Sequence, residues 1–173
     1  MSAQIKITVD GVSKEIASDQ KPTHLFAERS DVVVCRINGE LKDLWSDLVA
    51  GDQVESVEIS SEDGLNVLRH STAHVLAQAV QEVFADTKLG IGPPIRDGFY
   101  YDFDLADRVT PDDFEKVEKE MKAIVSEDLP FERIEVSREE AAEMLQNQSY
   151  KLERLADIPE GEPITFYKCG DFF

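Results

Sequence analysis

Residues 60–84 read SSEDGLNVLRHSTAHVLAQAVQEVF, and the pattern changes inside this stretch. Ser60 to Gly64 is polar and rich in turn-forming residues, the composition of a linker. From there Leu65, Leu68, Thr72, Val75, Leu76, Ala79, Val80 and Val83 recur at helical spacing. The spacing predicts a helix from about residue 64 to 84, with Asp63 placed to cap it.

Upstream the apolar residues follow a different period. Ile5-Lys6-Ile7-Thr8-Val9 alternates with period two, and Asp10-Gly11 is a hairpin turn signal before a returning strand from Val12 to Ile16. Pro22-Thr23 opens a short helical stretch reaching Arg29. The β-branched run Val32 to Ile37 ends at the turn Asn38-Gly39. Leu41, Leu44, Trp45 and Leu48 supply scattered core residues, and Val54 to Ile59 is a final strand after the Gly51-Asp52 turn. A hairpin, a crossing helix and returning strands in about 60 residues suggest a small β-grasp-like (ubiquitin-like) sheet. Its core is small, so it is expected to be docked or tethered.

Downstream, Lys88 to Ile95 and Phe99 to Leu105 flank Arg96-Asp97-Gly98 and predict a hairpin of extended segments, edge-placed by Pro93 and Pro94. Thr110-Pro111-Asp112-Asp113 starts a helix that reaches about Ser126. Phe131 to Val136 is a short strand. Ser137-Arg138-Glu139-Glu140 is a capping box for a helix ending near Gln148. Tyr150 to Leu155 and Ile164 to Cys169 read as further extended segments. The fold class expected is α+β, with a β-grasp domain over 1–61 and an α+β domain over 62–173 whose long helix packs on an antiparallel sheet. The run to Phe172-Phe173 is apolar where free termini are usually polar, which suggests a chain cut inside a larger protein.

Composition narrows the function classes. The 173 residues are 42% hydrophobic and 31% charged, a globular mix, with a net charge of −18. Residues 1–60 carry 6 basic and 11 acidic groups, so the second part holds most of the excess. No apolar run reaches the roughly 18 residues that span a bilayer, and the first residues lack a secretory pattern. Two distant cysteines, Cys35 and Cys169, make no disulfide framework. A reduced, cytoplasmic protein is expected. The charge argues against general nucleic-acid binding but leaves room for a local basic site or a single-ended RNA substrate.

The chemistry-bearing residues are few. His70 and His74 are four apart on the predicted helix and point the same way. The spacing suits two metal ligands or two imidazoles gripping one water, whereas Ser71 stands where a zinc protease needs Glu. At about 100° per residue both fall off the apolar stripe, beside Ala73, Ala77 and Gln81. The alternative is two solvated histidines on an exposed face. Gly90 to Pro94 with Gly98 to Phe103 could line a pocket with a tyrosine hydroxyl, or be an ordinary aromatic hairpin packed on a helix. Lys151 could meet a phosphate or an oxyanion, or be a solvated surface lysine. Cys169 reads as a buried free thiol rather than a metal ligand. No P-loop, dinucleotide fingerprint or Ser-His-Asp signature is present.

In combination these residues resemble a family. RHSTAHVLA (69–77) followed by IGPPIRDGFYYD (91–102) looks like the start of the editing domain of bacterial threonyl-tRNA synthetases. VVCRINGEL (33–41), in the β-grasp, resembles their N-terminal TGS domain. Ser149-Tyr150-Lys151-Leu152 and FYKCGDFF (166–173) fit in order, so the resemblance covers essentially the whole chain.

The resemblance implies an aminoacyl-tRNA synthetase that joins threonine to tRNA using ATP and hydrolyses mischarged seryl-tRNA at a separate site. It implies that His70 and His74 belong to the hydrolytic site, that Tyr101 lines it, and that Lys151 contacts the terminal adenosine or the reacting ester. In the family a Cys-x-x-x-His segment follows the last matched motif and completes the site. The chain is therefore expected to be a fragment with little or no deacylase activity and no bound metal. ATP, Mg and Zn belong to the synthetase core it lacks. A monomer that binds tRNA weakly is expected, the full enzyme being a homodimer. The competing readings are a freestanding trans-editing deacylase and a non-catalytic TGS module for regulation or RNA docking.

Overall fold

The structure, a computed structural model, describes residues 3–172. The chain divides into two compact units, Met1–Arg69 and His70–Phe173.

In the first unit, β1 (Gln4–Val9) and β2 (Val12–Ala17) form a hairpin over Asp10-Gly11. A second hairpin joins β3 (Val32–Ile37) to β4 (Glu40–Lys42) over Asn38-Gly39. Both central residues of each turn have positive φ, 47° and 79° in the first and 53° and 88° in the second. This backbone matches the strand twist and is cheapest for Asn, Asp and Gly. With β5 (Gln53–Glu58) the five strands order β2-β1-β5-β3-β4, and β5 runs parallel to β1. Ile7, Val9, Ile16, Val32, Cys35, Ile37 and Val54 fill the core with Phe26 and Leu48.

Three expectations for this unit are corrected. The helix α1 spans only Pro22–Leu25, because Arg29 lies beyond it, bonding the side chains of Asp31, Ser56 and Glu58. Leu41 and Trp45 are exposed rather than core, since β4 is a sheet edge and Trp45 follows it in a loop. Asp63 does not cap the long helix. Ser61 does: its hydroxyl accepts from the Gly64 N–H at 3.0 Å and donates to the Glu58 carbonyl at 2.6 Å, while Asp63 pairs with Arg36.

That helix, α2, spans Glu62–Val83, so only three residues separate it from β5, and the division between the units falls within it. The polar stretch 60–64 is therefore a helix cap and first turn, not a linker. The expected boundary at 61/62 lies about two helical turns before the division in the structure.

In the second unit β6 (Lys88–Leu89) pairs with β9 (Phe103–Asp104) and β7 (Pro94–Ile95) with β8 (Gly98–Phe99), the hairpin the sequence predicts. Helix α3 (Pro111–Ser126) starts where Asp113 accepts from the Thr110 N–H and hydroxyl. β10 (Phe131–Val136) pairs antiparallel with β11 (Ile164–Cys169), from Phe131↔Cys169 to Val136↔Ile164. Helix α4 (Arg138–Met144) opens on the Ser137–Glu140 capping box and stops short of Gln148.

One element differs outright. Residues 149–157 form helix α5 (Ser149–Asp157), not an extended segment. Leu152 and Leu155 are three apart, so a strand would send them to opposite faces, whereas a helix puts both on one face. That face packs with Ala141, Leu145 and Ile164. On α2, Ala79 and Val80 pack against Val117 and Ile124 of α3, with Phe103 beside them. Ala73 and Ala77 are also fully buried, so α2 is covered on more than its apolar stripe. No helix among the described residues is long and apolar enough to cross a membrane.

Candidate functional site

His70 and His74 lie one turn apart on α2, with ring centroids 5.0 Å apart and planes 26° from parallel. His70 is exposed and His74 is half-buried. Two phenylalanines approach His74 at steep angles. Phe131, the first residue of β10, lies 6.2 Å away at 73°, and Phe172, beyond β11, lies 6.3 Å away at 82°. Phe172 is held in place by its backbone: Cys169 N–H donates to its carbonyl at 2.8 Å and its own N–H donates to the Cys169 carbonyl at 3.1 Å. The turn between them uses Gly170 at φ 60°. The Lys151 ammonium, from α5, sits 5.7 Å from the centroid of the same Phe172 ring.

The local charges follow from this packing. Burial, with the nearby positive charge of His70 and Lys151, pushes His74 down to about 4 from 6.5. Partial desolvation on the side facing His74 also lowers His70. Lys151 is brought down to about 8 by burial. Near pH 7 the cluster therefore presents a neutral imidazole at His74 beside a mostly protonated Lys151.

The low value at His74 makes stability acid-sensitive. Between pH 6.5 and 4 the unfolded chain binds a proton at this position that the folded chain does not, so stability falls as pH falls through that window. The loss approaches about 2–3 kcal/mol. Urea unfolding at pH 7 and 4.5 is expected to show a smaller pH-dependent loss for His74→Gln than for the wild type. Equal losses would contradict the burial of this imidazole.

Of the four residues singled out from sequence, His70, His74 and Lys151 are brought together. Tyr101 is placed by other contacts. Its ring stacks on Phe103 at 4.8 Å and 13°, and a Cβ on Gly92 would fall 2.1 Å from it. Burial raises the Tyr101 phenol to about 12. Those contacts set it in the aromatic hairpin and do not join it to the histidines. Cys169 is a buried thiol, raised by burial and by the charge of Glu127. Among the described residues, no group of three or more His, Cys, Asp or Glu side chains is arranged to hold a metal ion.

Sequence reasoning did not single out Phe131 or Phe172 as neighbours of His74. The one sequence signal is the apolar run at 172–173. A contact between positions so far apart in sequence leaves no periodic trace.

The comparisons with known proteins agree with the motifs. No family model matches the chain. The threonine–tRNA ligase of Pseudarthrobacter chlorophenolicus is 54% identical over 152 residues, covering 88% of this chain and 23% of that protein. Over the part it spans, the chain is similar to the threonine–tRNA ligases. The ligase of Streptomyces griseus is 58% identical over 129 residues, covering 75% of this chain and 20% of its own length. That of Oceanobacillus iheyensis is 43% identical over 167 residues, covering 95% and 25%. The chain thus spans about a quarter or less of the ligases it matches.

Proposed function

We propose that this chain is the TGS and editing portion of a cytoplasmic threonine–tRNA ligase, and that its second unit carries part of the site that hydrolyses serine from mischarged tRNA. The observation that carries this reading is the gathering of His74 and Lys151 about Phe172 in a chain 43–58% identical to threonine–tRNA ligases. In the first unit, the strand order β2-β1-β5-β3-β4 with its one short helix supports the β-grasp reading of the TGS domain. The parent enzyme charges tRNA with threonine using ATP, in a core outside this segment.

The need for hydrolysis is physical. Serine is threonine without one methyl, and one methyl gives about 1–3 kcal/mol of discrimination. A second site that accepts the smaller product removes the remaining errors. In that site the neutral His74 accepts a proton as a water oxygen attacks the ester carbonyl carbon. The Lys151 ammonium favours the negative charge that grows on the carbonyl oxygen. Collapse breaks the bond to the ribose oxygen, which takes up the proton, and releases serine. His70, exposed at the edge, holds the water or the substrate. Tyr101 lines the approach. A deacylase site needs to hold only the terminal nucleotide and its ester, so a chain of net charge −18 is compatible with the role while gripping the tRNA body weakly.

The test is seryl-tRNA hydrolysis by this chain beside a longer threonine–tRNA ligase chain carrying the same sequence. Robust hydrolysis by the longer chain and slow hydrolysis by this one are expected. No hydrolysis by either would sink the reading. The rate is expected to be bell-shaped in pH. It falls below about pH 4 as His74 gains a proton, and above about pH 8 as Lys151 loses one. A rate that keeps rising past pH 9 would remove Lys151 from the charge-stabilising role.

A further inference from the structure

Phe172 touches both groups on which the deacylase reading rests. Its ring meets His74 nearly perpendicularly, at 6.3 Å and 82°, and carries the Lys151 ammonium 5.7 Å from its centroid. The backbone that carries the ring has little freedom. Two hydrogen bonds with Cys169 tie Phe172 to the end of β11 across a tight turn at Gly170. Phe131 closes His74 from the other strand of the same two-stranded sheet, where Phe131 stands opposite Cys169 in register. The two aromatic contacts on His74 thus come from one end of the β10–β11 pair. α2 and α5, which supply His74 and Lys151, are separate helices.

An aromatic face attracts a cation, and an aromatic edge fixes the tilt of a neighbouring ring. We infer that Phe172 is a positioning residue: one ring that sets the tilt of His74 and the place of the Lys151 ammonium at once, so that the two helices present their groups to a common point. This inference rests on the proposed hydrolysis for its purpose and on the geometry at the end of the β10–β11 sheet for its mechanism. Phe131 supports the imidazole alone. The charged and titratable groups that act on His74 are His70 from its own helix and Lys151 from α5.

The test reads the two groups directly by NMR on the 173-residue chain, without catalysis. Phe172→Leu keeps an apolar side chain and both backbone hydrogen bonds. It is expected to move the His74 ring resonances toward their values in an unstructured peptide and to change the Lys151 titration. Phe172→Tyr, which retains the ring, is expected to restore both. Replacement of Phe172 by pentafluorophenylalanine keeps the shape but reverses the ring quadrupole. It is expected to lower the Lys151 titration midpoint by about 0.5–1.5 pH units. Backbone amide resonances of α3 and α4, in the same unit as Phe172, report whether that unit is intact in each variant. Unchanged His74 shifts and Lys151 midpoints in both the leucine and the pentafluoro variants would overturn the assignment. Failure of seryl-tRNA hydrolysis in the longer chain would instead sink the deacylase reading and leave these titrations as they are.

Discussion

His74→Ala is expected to lower seryl-tRNA hydrolysis by about 10²–10⁴-fold in a threonine–tRNA ligase chain carrying this sequence, with threonine attachment unchanged. The size follows from the position of the group. His74 is the imidazole held between Phe131 and Phe172 and nearest in charge to Lys151. Its depressed pKa keeps it neutral at pH 7, so its lone pair is available in nearly every molecule. His70→Ala is expected to cost less, because that ring is exposed and meets the aromatic pair only through His74. Circular dichroism melting separates chemistry from folding. If His74→Ala melts like the wild type and still hydrolyses seryl-tRNA at the wild-type rate, the proton-accepting role is wrong. Partial rescue by added imidazole would place the loss at the missing ring.

Gly64→Ala is expected to destabilise the first unit by about 1–3 kcal/mol. Glycine in a helix is normally a weakness, and alanine there would gain up to about 1 kcal/mol. Here the backbone leaves no room. A Cβ at position 64 would lie 2.0 Å from the Glu58 carbonyl oxygen and 3.0 Å from the Ile59 Cα. Both obstacles are backbone atoms that cannot rotate aside. α2 would have to draw back from the end of β5 by about an ångström or more to reach ordinary contact. That movement also strains the Ser61 cap, which bonds both Gly64 and Glu58. Overpacking therefore outweighs propensity. Urea denaturation measures it, and an alanine variant as stable as the wild type would contradict the close approach.

Much of the architecture was legible because it is local. Asp10-Gly11 and Asn38-Gly39 announce two hairpins, since few other dipeptides tolerate positive φ at consecutive positions. Thr110 and Ser137, each with an acid three residues on, mark helix starts that the structure places at Pro111 and Arg138. β10 and β11 fall on the residues expected. The misreadings arose where a local signal had two uses. Ser60 to Gly64 has the composition of a linker and equally of a helix cap, and Asp63 was drawn off by Arg36. Tyr150 to Leu155 is too short for periodicity to separate strand from helix, and the core of α4 and β11 chose helix.

The candidate site divides along the same line. His70 and His74 share a face because α2 is helical, and the spacing alone establishes this. Tyr101 was named through resemblance, and the structure stacks it on Phe103. What the amino-acid sequence by itself determined is the likeness to threonine–tRNA ligases, the α+β class and the existence of a histidine pair, all of which follow from residues close together in the chain. The tertiary structure alone decided that His74 is enclosed by Phe131 and Phe172, that Lys151 stands over the second ring, and that both groups have lowered pKa values. Those properties come from burial and from contacts between α2, α5 and the end of the β10–β11 strand pair. Burial is a property of packed neighbours, and no residue carries its neighbours in its own sequence position.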